Sequence, residues 1–230
     1  MTTDNREQEK ATVIISSAPR EQVLPQRAND LMALLRGRRS VRKYQDRPVT
    51  HAQIEQILEA ARWAPSPHGR QPWRFIVIQA QTTKARLAEY MGNDWRRNLA
   101  MDGQDSSVIN IRLAKSRQRI MQAPVIILPC LYMEDMDRYP DAQRQADEKI
   151  MAIQSIGAAI QNMLLMAYDL GLDSGWMCAP LFCPEIVCDA LGLDPRLIPQ
   201  ALITVGYAAA DPQRRPRLPL DTLVTYIDER

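Results

Sequence analysis

The sequence has 230 residues, of which 46% are hydrophobic and 24% are charged, and its formal net charge is +2. These values are ordinary for a globular protein and exclude a fibrous or largely disordered chain. No apolar run approaches the roughly 20 residues that a membrane-spanning helix needs, and the N-terminus lacks the apolar core of a signal peptide. We therefore expect a cytoplasmic protein without a membrane or nucleic-acid partner.

The chain divides into an N-terminal extension, residues 1–28, and one domain, residues 29–230. The extension is polar and has no clear apolar period. Asn29 is a candidate N-cap for the first helix of the domain. Thr50 and Gln53 have the spacing of a capping box, which predicts the start of the second helix. Pro65 ends that helix.

The rest of the chain alternates between helical and strand-like patterns without a strict order. Helices are predicted over residues 83–90, 107–122, 141–170 and 184–191. Gly171 is expected to end the third of these helices. Strands are predicted over residues 73–78, 124–128, 174–179 and 201–207, with a further edge strand over 224–227. The 141–170 helix is apolar nearly all round in its second half, from Ile150 and Ile153 onwards, which predicts a central core helix. This irregular mixture favours the α+β class.

Three segments combine positive charge with a restricted backbone. The first is Arg38-Arg39-Ser40-Val41-Arg42, where residues 38, 40 and 42 share one side if the chain is extended. Two guanidinium groups and a hydroxyl on one side suit a phosphate, although a solvated basic turn has the same composition. The second is the loop 64–73, where Gly69 would let a ligand approach the backbone, although a structural proline-rich corner is equally compatible. The third is the arginine cluster 214–217, for which the alternative is a solvated tail.

Side chains for acid–base, nucleophilic or metal chemistry do not group in the sequence. The four cysteines and two histidines have no metal-ligand spacing, so we interpret the cysteines as reduced core thiols and predict no metal. No glycine-rich phosphate loop is present. A bound cofactor that carries the electrons would explain an enzyme without catalytic side chains.

Five motifs in this order resemble those of the nitroreductase family of FMN flavoproteins. They are the basic segment, Ala64-Pro65-Ser66, Gln71-Pro72-Trp73, Gly171-Leu172 with Trp176, and Gly206-Tyr207 followed by Arg215-Pro216-Arg217. The resemblance covers about residues 30–230. It implies an α+β sandwich with a mixed central sheet flanked by helices, in an intertwined homodimer with FMN at the interface. It also implies the residues that hold FMN: Arg38, Arg39, Ser40, Arg42, Ser66 from the partner subunit, Met177, Cys178, Arg215 and Arg217.

A second resemblance is narrower. The segments Asn93-Asp94-Trp95-Arg96, Tyr139-Pro140-Asp141-Ala142 and Ala64-Pro65-Ser66-Pro67-His68 resemble the C-terminal reductase domain of the bifunctional coenzyme F(420) ligase. The implied activity is reduction of a dehydro precursor of this deazaflavin coenzyme by reduced FMN. Four residues are implied at the substrate: Asn98, Arg96, Arg97 and His68. Because residues 93–103 have little apolar periodicity, we expect a lid or ligand-contact segment there.

Two alternatives remain at this stage. One is a general NAD(P)H-dependent nitro- or quinone reductase. The other is a flavin- or deazaflavin-binding protein without turnover. The first alternative differs from deazaflavin-precursor reduction in the acceptor, and the second differs in having no turnover.

Overall fold

A computed structural model describes residues 24–210, 212 and 216–227. The chain divides into one unit that ends at Arg36 and a second that begins at Gly37. The first unit contains most of helix α1, Leu24–Gly37. The predicted N-cap at Asn29 was therefore wrong, because the helix already begins at Leu24. Residues 1–23 of the predicted extension lie outside the described residues, so its boundary at residue 28 stays a prediction.

The second unit contains the other helices and all the strands described. In chain order these are α2 (His51–Arg62), β1 (Trp73–Ile78), α3 (Gln81–Met101), α4 (Ser106–Gln122), β2 (Val125–Tyr132), α5 (Ala142–Asp169), β3 (Asp173–Met177), α6 (Pro184–Leu191), β4 (Leu197–Pro199) and β5 (Leu202–Gly206). Short 3-10 helices cover Pro67–Gly69, Ala179–Phe182 and Leu220–Thr222.

The strands form one five-stranded sheet in the order β1-β2-β5-β3. Strand β2 pairs with β1 on one side, and with both β5 and β4 on the other. These pairs and the β3–β5 pair are antiparallel, while Ser40 adds a parallel bridge to Ser174. The predicted α+β fold with a mixed sheet is thereby confirmed.

Helices cover both faces of this sheet. Side chains alternate along β2, so that Val125 and Ile127 join the core against α2 and α5, whereas Ile126 and Leu128 join the core that includes α3, α4 and α6. Because both faces are covered, β2 is almost continuously apolar and buried. The sandwich with a central sheet is therefore a three-layer arrangement.

Two sequence signals fix helix ends as predicted. Thr50 Oγ1 accepts a hydrogen bond from the Gln53 amide at 3.2 Å, and the Thr50 amide donates to Gln53 Oε1 at 3.1 Å. Gly171 follows α5 with a φ of +72°, which is the left-handed conformation that glycine adopts without strain.

Helix α5 is the central helix, but one of its faces is open. Ile156 and Ile160 are buried as predicted, whereas Ile150 is 52% and Ile153 is 41% exposed, so these two were wrongly assigned to the core of a single chain. Among the described residues, α5 is the helix long and apolar enough to cross a membrane by length and composition. It packs on α2, β2 and β3, as a core helix does.

Three further expectations were wrong. Helix α3 continues to Met101, well beyond the predicted end at residue 90. Residues 224–227 do not form a strand. Strand β4 was missed, since its three residues are too few for a pattern to show, and its pairing with β2 depends on distant residues.

Candidate functional site

The basic segment, residues 38–42, lies extended beside β3. The Val41 amide donates a hydrogen bond to the Ser174 carbonyl at 2.9 Å, and Val41 is buried. Ser40 and Arg42 are exposed on the other side, while Arg38 is half-buried. The alternation predicted for an extended segment therefore holds at residues 40–42.

Strand β3 leaves room for this segment through a glycine that sequence reasoning did not single out. A Cβ on Gly175 would overlap the Val41 carbonyl oxygen and lie 2.8 Å from Thr204 Oγ1. The Tyr44 hydroxyl also bonds Thr204 Oγ1 at 2.7 Å, and burial raises the pKa of Tyr44. The basic segment is thus held on the sheet by a close main-chain approach and a buried hydroxyl pair.

Arg38 and Arg217 bring two positive charges together. The pKa of Arg38 is lowered, first by burial and then by the charge of Arg217. In the part of the chain that the structure describes, no carboxylate forms an ion pair with Arg38, Arg42 or Arg217. A pair of like charges without an acid is unfavourable by itself and suits an external anion. Arg215, assigned to the same anion by the resemblance, lies outside the described residues.

Arg39 differs from its neighbours because it turns inward. Its Nη1 donates to the Gly37 carbonyl oxygen at 2.9 Å. It lines a pocket of about 350 Å³ together with Tyr168, Asp173 and residues 208–210.

Met177 and Cys178 lie at the end of β3, the strand beside which the basic segment lies. Met177 ends the strand and packs partly against the core, and Cys178 is exposed directly after it. The other three cysteines are buried, and burial raises the pKa of Cys130 to about 12 and that of Cys183 to about 11. The prediction of core thiols therefore holds for Cys130, Cys183 and Cys188 and was wrong for Cys178.

The loop 64–73 has a strained backbone. His68 and Gln71 both have a φ of 51°, and they are the non-glycine residues with positive φ among those described. Ser66 Oγ accepts a hydrogen bond from the Gln71 amide at 3.0 Å, which closes the loop. Strained backbone of this kind clusters at functional sites.

Within one chain, no hydrogen bond or ion pair of the described residues joins this loop to the basic segment. Trp73 is buried at the start of β1, whereas Trp63 is 75% exposed, so the tryptophans do not enclose the loop. Among the described residues of one chain, Ser66 and His68 therefore form no hydrogen bond or ion pair with the residues with which the resemblance groups them.

The predicted substrate residues lie on a helix. Asn98, Arg96 and Arg97 belong to α3, so residues 93–101 are helical although little apolar periodicity was recognised there. The expected lid or ligand-contact role of residues 93–103 stays a prediction. Leu87, Met91, Trp95 and Leu99 recur every four residues, and this spacing is the helical signal that was missed.

These substrate candidates are also engaged with neighbouring side chains. Arg97 pairs with Asp94 at 2.8 Å, and the Asn98 amide donates to the same carboxylate at 3.2 Å. Arg96 donates to the neutral Asn110 side chain at 2.9 Å. Arg96 therefore keeps an unneutralised positive charge on an exposed helix surface, while Arg97 does not.

Known proteins resemble the chain over most of its length. A family model described as the nitroreductase family matches residues 35–207. A Thermus thermophilus protein named NADH dehydrogenase is 31% identical over 204 residues, which cover 82% of this chain and 92% of that protein. YfhC of Bacillus subtilis, assigned as a NAD(P)H nitroreductase, is 27% identical over 190 residues, which cover 83% of this chain and 90% of YfhC.

Solved structures share the fold. A nitroreductase from Desulfovibrio desulfuricans in complex with FMN superposes with a TM-score of 0.65 at 29% identity, covering 87% of this chain and 98% of that one. A BluB-like flavoprotein from Clostridium difficile 630 gives a TM-score of 0.72 at 23% identity, covering 86% and 99% of the two chains. The second likeness bears on the fold alone.

Proposed function

The chain belongs to the nitroreductase family of FMN-dependent oxidoreductases, and on this premise we propose that it uses NAD(P)H to reduce an electron-poor small molecule. We propose FMN as its cofactor, as in the complex from Desulfovibrio desulfuricans. The family is typically cytoplasmic, and we propose the same compartment for this chain.

The observation that carries the FMN proposal is the juxtaposition of Arg38 and Arg217 without a carboxylate. A phosphate with close to two negative charges would neutralise both guanidinium groups at once. Ser40 and Arg42, exposed on the same segment, would extend the contact toward the ribityl chain and the ring edge. Arg39 and Arg215 are the further cations that we assign to this cofactor.

FMN, when bound, supplies the hydride chemistry. The chain's own contribution is to bind and orient. The basic segment would fix the cofactor at its phosphate, and β3 would bring Met177 and Cys178 to the ring. We propose that no residue of the chain is catalytic in its own right, as the sequence predicts, and that the flavin carries the chemistry.

The acceptor that we propose is the dehydro precursor of coenzyme F(420), which carries a phosphodiester and a carboxylate. Exposed cationic side chains support an anionic acceptor, and Arg96 is the candidate whose charge is not already paired. His68, exposed on the strained loop, and Asn98 are the other candidate contacts. The second candidate function is that of a general NAD(P)H-dependent nitro- or quinone reductase. Relatives named NAD(P)H nitroreductase and NADH dehydrogenase are compatible with it, but they support it no better than they support precursor reduction.

We also propose that the working form is a homodimer. Ile150 and Ile153 leave an apolar face open on α5, and Gly157 beside them has open space where a side chain would lie. In the tail, Tyr226 and Ile227 are 80% and 94% exposed. In this proposal a partner subunit covers these groups and the partner's Ser66 contacts FMN, so that the site is shared between two chains.

An acceptor panel tests the enzymatic proposal. Purified protein reconstituted with FMN is reduced with NADH or NADPH under anaerobic conditions, and reoxidation is followed by absorbance. Reoxidation by the deazaflavin precursor would support the specific function, and reoxidation by nitroaromatics or quinones alone would favour the general reductase. Flavin that no acceptor reoxidises would point to the non-catalytic alternative, and failure to bind FMN would overturn the proposal.

Sedimentation tests the dimer. Ile153→Arg should shift the protein toward the monomer and reduce its FMN content, since a charge would be buried in the interface. Ile111 is a matched control, because it is similarly exposed, at 54%, on α4. Ile111→Arg should leave both properties unchanged. A flavin-loaded monomer at micromolar concentration would contradict the shared site.

A further inference from the structure

The loop 66–72 is held in a conformation that its sequence alone would not favour. Its left-handed residues, His68 and Gln71, carry side chains that make this backbone unfavourable. Three hydrogen bonds lie within the loop: the Gln71 amide donates to Ser66 Oγ, the Gly69 amide to the Ser66 carbonyl at 3.1 Å, and the Arg70 amide to the Pro67 carbonyl at 3.0 Å. Such a conformation persists only where surrounding contacts determine it.

Two such contacts come from the acidic loop, which we define as residues 133–141, between β2 and α5. Asp137 forms an ion pair with Arg70 of the strained loop. Asp135 forms a second with Arg74, just after that loop, at 2.7 Å. Two carboxylates of the acidic loop thus hold the two arginines at the end of the strained loop and the start of β1.

The acidic loop is in turn attached to α5. The Asp137 amide donates to Glu148 Oε1 at 3.3 Å, and the Tyr139 amide donates to Gln145 Oε1 at 3.0 Å. Glu148 is completely buried, and its Oε2 has no hydrogen-bond partner among the described residues.

A buried, half-satisfied carboxylate disfavours folding, and an apolar side chain of similar volume would be more stable there. Residues that break a local stability rule in this way are expected where function requires them. Among the described residues, the one hydrogen bond of the Glu148 side chain is to Asp137, the residue that holds Arg70.

We propose that Asp137 and Glu148 are positioning residues: Glu148 fixes the acidic loop, and Asp137 transmits that position to the loop 66–72, which carries Ser66 and His68. The effect on turnover depends on the proposed function, because that function assigns the loop to FMN and the acceptor. The effect on the loop itself does not depend on it.

Hydrogen exchange of the amides at residues 69–71 tests the first link in the full-length protein. Arg70 and Asp137 are 44% and 34% exposed, so their ion pair contributes a modest stabilisation. Asp137→Ala should therefore accelerate exchange by about two- to fivefold. Glu134→Ala is the matched control, because it removes the Arg138–Glu134 pair of the same acidic loop without touching Arg70. Equal exchange at residues 69–71 in the two variants would overturn the proposal.

Two substitutions of Glu148 test the second link. Glu148→Gln retains an Oε1 acceptor for the Asp137 amide and should leave exchange at residues 69–71 close to wild type. Glu148→Leu removes the acceptor and should accelerate exchange there while raising the thermal midpoint of unfolding. Native exchange in a folded Glu148→Leu protein would exclude Glu148 from the chain of contacts. If that variant does not fold, the comparison of Asp137→Ala with Glu134→Ala still decides the role of Asp137.

Kinetics then separate this inference from the proposed function. In protein saturated with FMN, Asp137→Ala should raise the KM for the acceptor, and Glu134→Ala should not. Faster exchange at the loop in a protein that binds no FMN would leave the positioning role intact and sink the flavin assignment. Full FMN binding and turnover, with equal exchange in both variants, would support the flavin assignment and overturn the positioning role.

Discussion

Two regions of the molecule each contain a pair of adjacent arginines, Arg38-Arg39 and Arg96-Arg97, but the surroundings of the two pairs differ. The basic segment at 38–42 is extended on the sheet, and its Arg38 has the like charge of Arg217 as a neighbour. The end of α3 carries Arg96 and Arg97 on a helix, and Arg97 is already paired with Asp94. An arginine that lies beside another cation and has no acid partner is poised for an external anion, whereas one paired within its own helix stabilises a surface.

The largest effect is expected at Arg38. Arg38→Ala should weaken FMN binding by about ten- to a hundredfold, since a charge-assisted contact contributes roughly 1.5–3 kcal/mol. Fluorescence titration of the apoprotein with FMN measures this. Arg97→Ala is the control from the other region and should bind FMN as the wild type does. Equal affinities of Arg38→Ala and wild type would remove the distinction between the two regions.

The second prediction concerns the support under the basic segment. Gly175→Ala places a methyl group against the Val41 carbonyl oxygen, so the segment must shift. We expect a loss of about 1–3 kcal/mol in the free energy of unfolding, as for other overpacked sites. Urea denaturation measures it. Gly92→Ala on α3 is the counterpart, because its Cβ would meet nothing within 4 Å, and it should be neutral or slightly stabilising. An unchanged denaturation midpoint in Gly175→Ala would show that the segment is not held closely.

Features of the fold that depend on local sequence signals could be predicted, whereas features that depend on contacts between distant residues could not. The capping box at Thr50, the apolar β2 and the glycine after α5 are local signals, and each was placed correctly. The proximity of Arg38 to Arg217 was implied by the family resemblance alone, because residues far apart in sequence leave no periodic trace. The helical end of α3 was missed because charged residues surround a four-residue repeat of apolar side chains.

Other features depend entirely on tertiary contacts. Nothing in the sequence distinguishes Gly175 from other strand glycines, because its role depends on the close approach of the Val41 carbonyl oxygen. Glu148 looks like a surface residue of a long helix, yet it is completely buried beneath the acidic loop. The exposure of Ile150 and Ile153 depends on which helix face the rest of the chain covers, and periodicity alone does not determine it.

A third prediction uses Cys178 to map the cofactor. Cys178 is the exposed cysteine of the four, so a thiol reagent should modify about one thiol per folded chain rapidly at neutral pH. Saturating FMN should slow this reaction by about tenfold or more if the cofactor covers the end of β3, a difference of about 1.4 kcal/mol in the activation barrier.

The control places a thiol in the other region. Arg97→Cys in a Cys178→Ser background should react at the same rate with and without FMN. Protection of both thiols would mean that FMN binding changes the whole surface, and protection of neither would move the cofactor away from Cys178.

The smallest effect is expected at the end of α3. Arg96→Ala combined with Arg97→Ala should raise the KM for an anionic acceptor by only about two- to fivefold, because exposed charges contribute up to about 1 kcal/mol and one of the two is already paired. Flavin content and the reduction of a neutral quinone should not change. The single variant Arg96→Ala should account for most of the effect, since Arg96 meets only the neutral Asn110.

Raising the salt concentration should reduce the wild-type advantage for the anionic acceptor, as charges about 10 Å apart are screened at 0.1 M. Equal losses on both acceptors would assign these arginines to the stability of α3 and would favour the general reductase over the deazaflavin-precursor reductase.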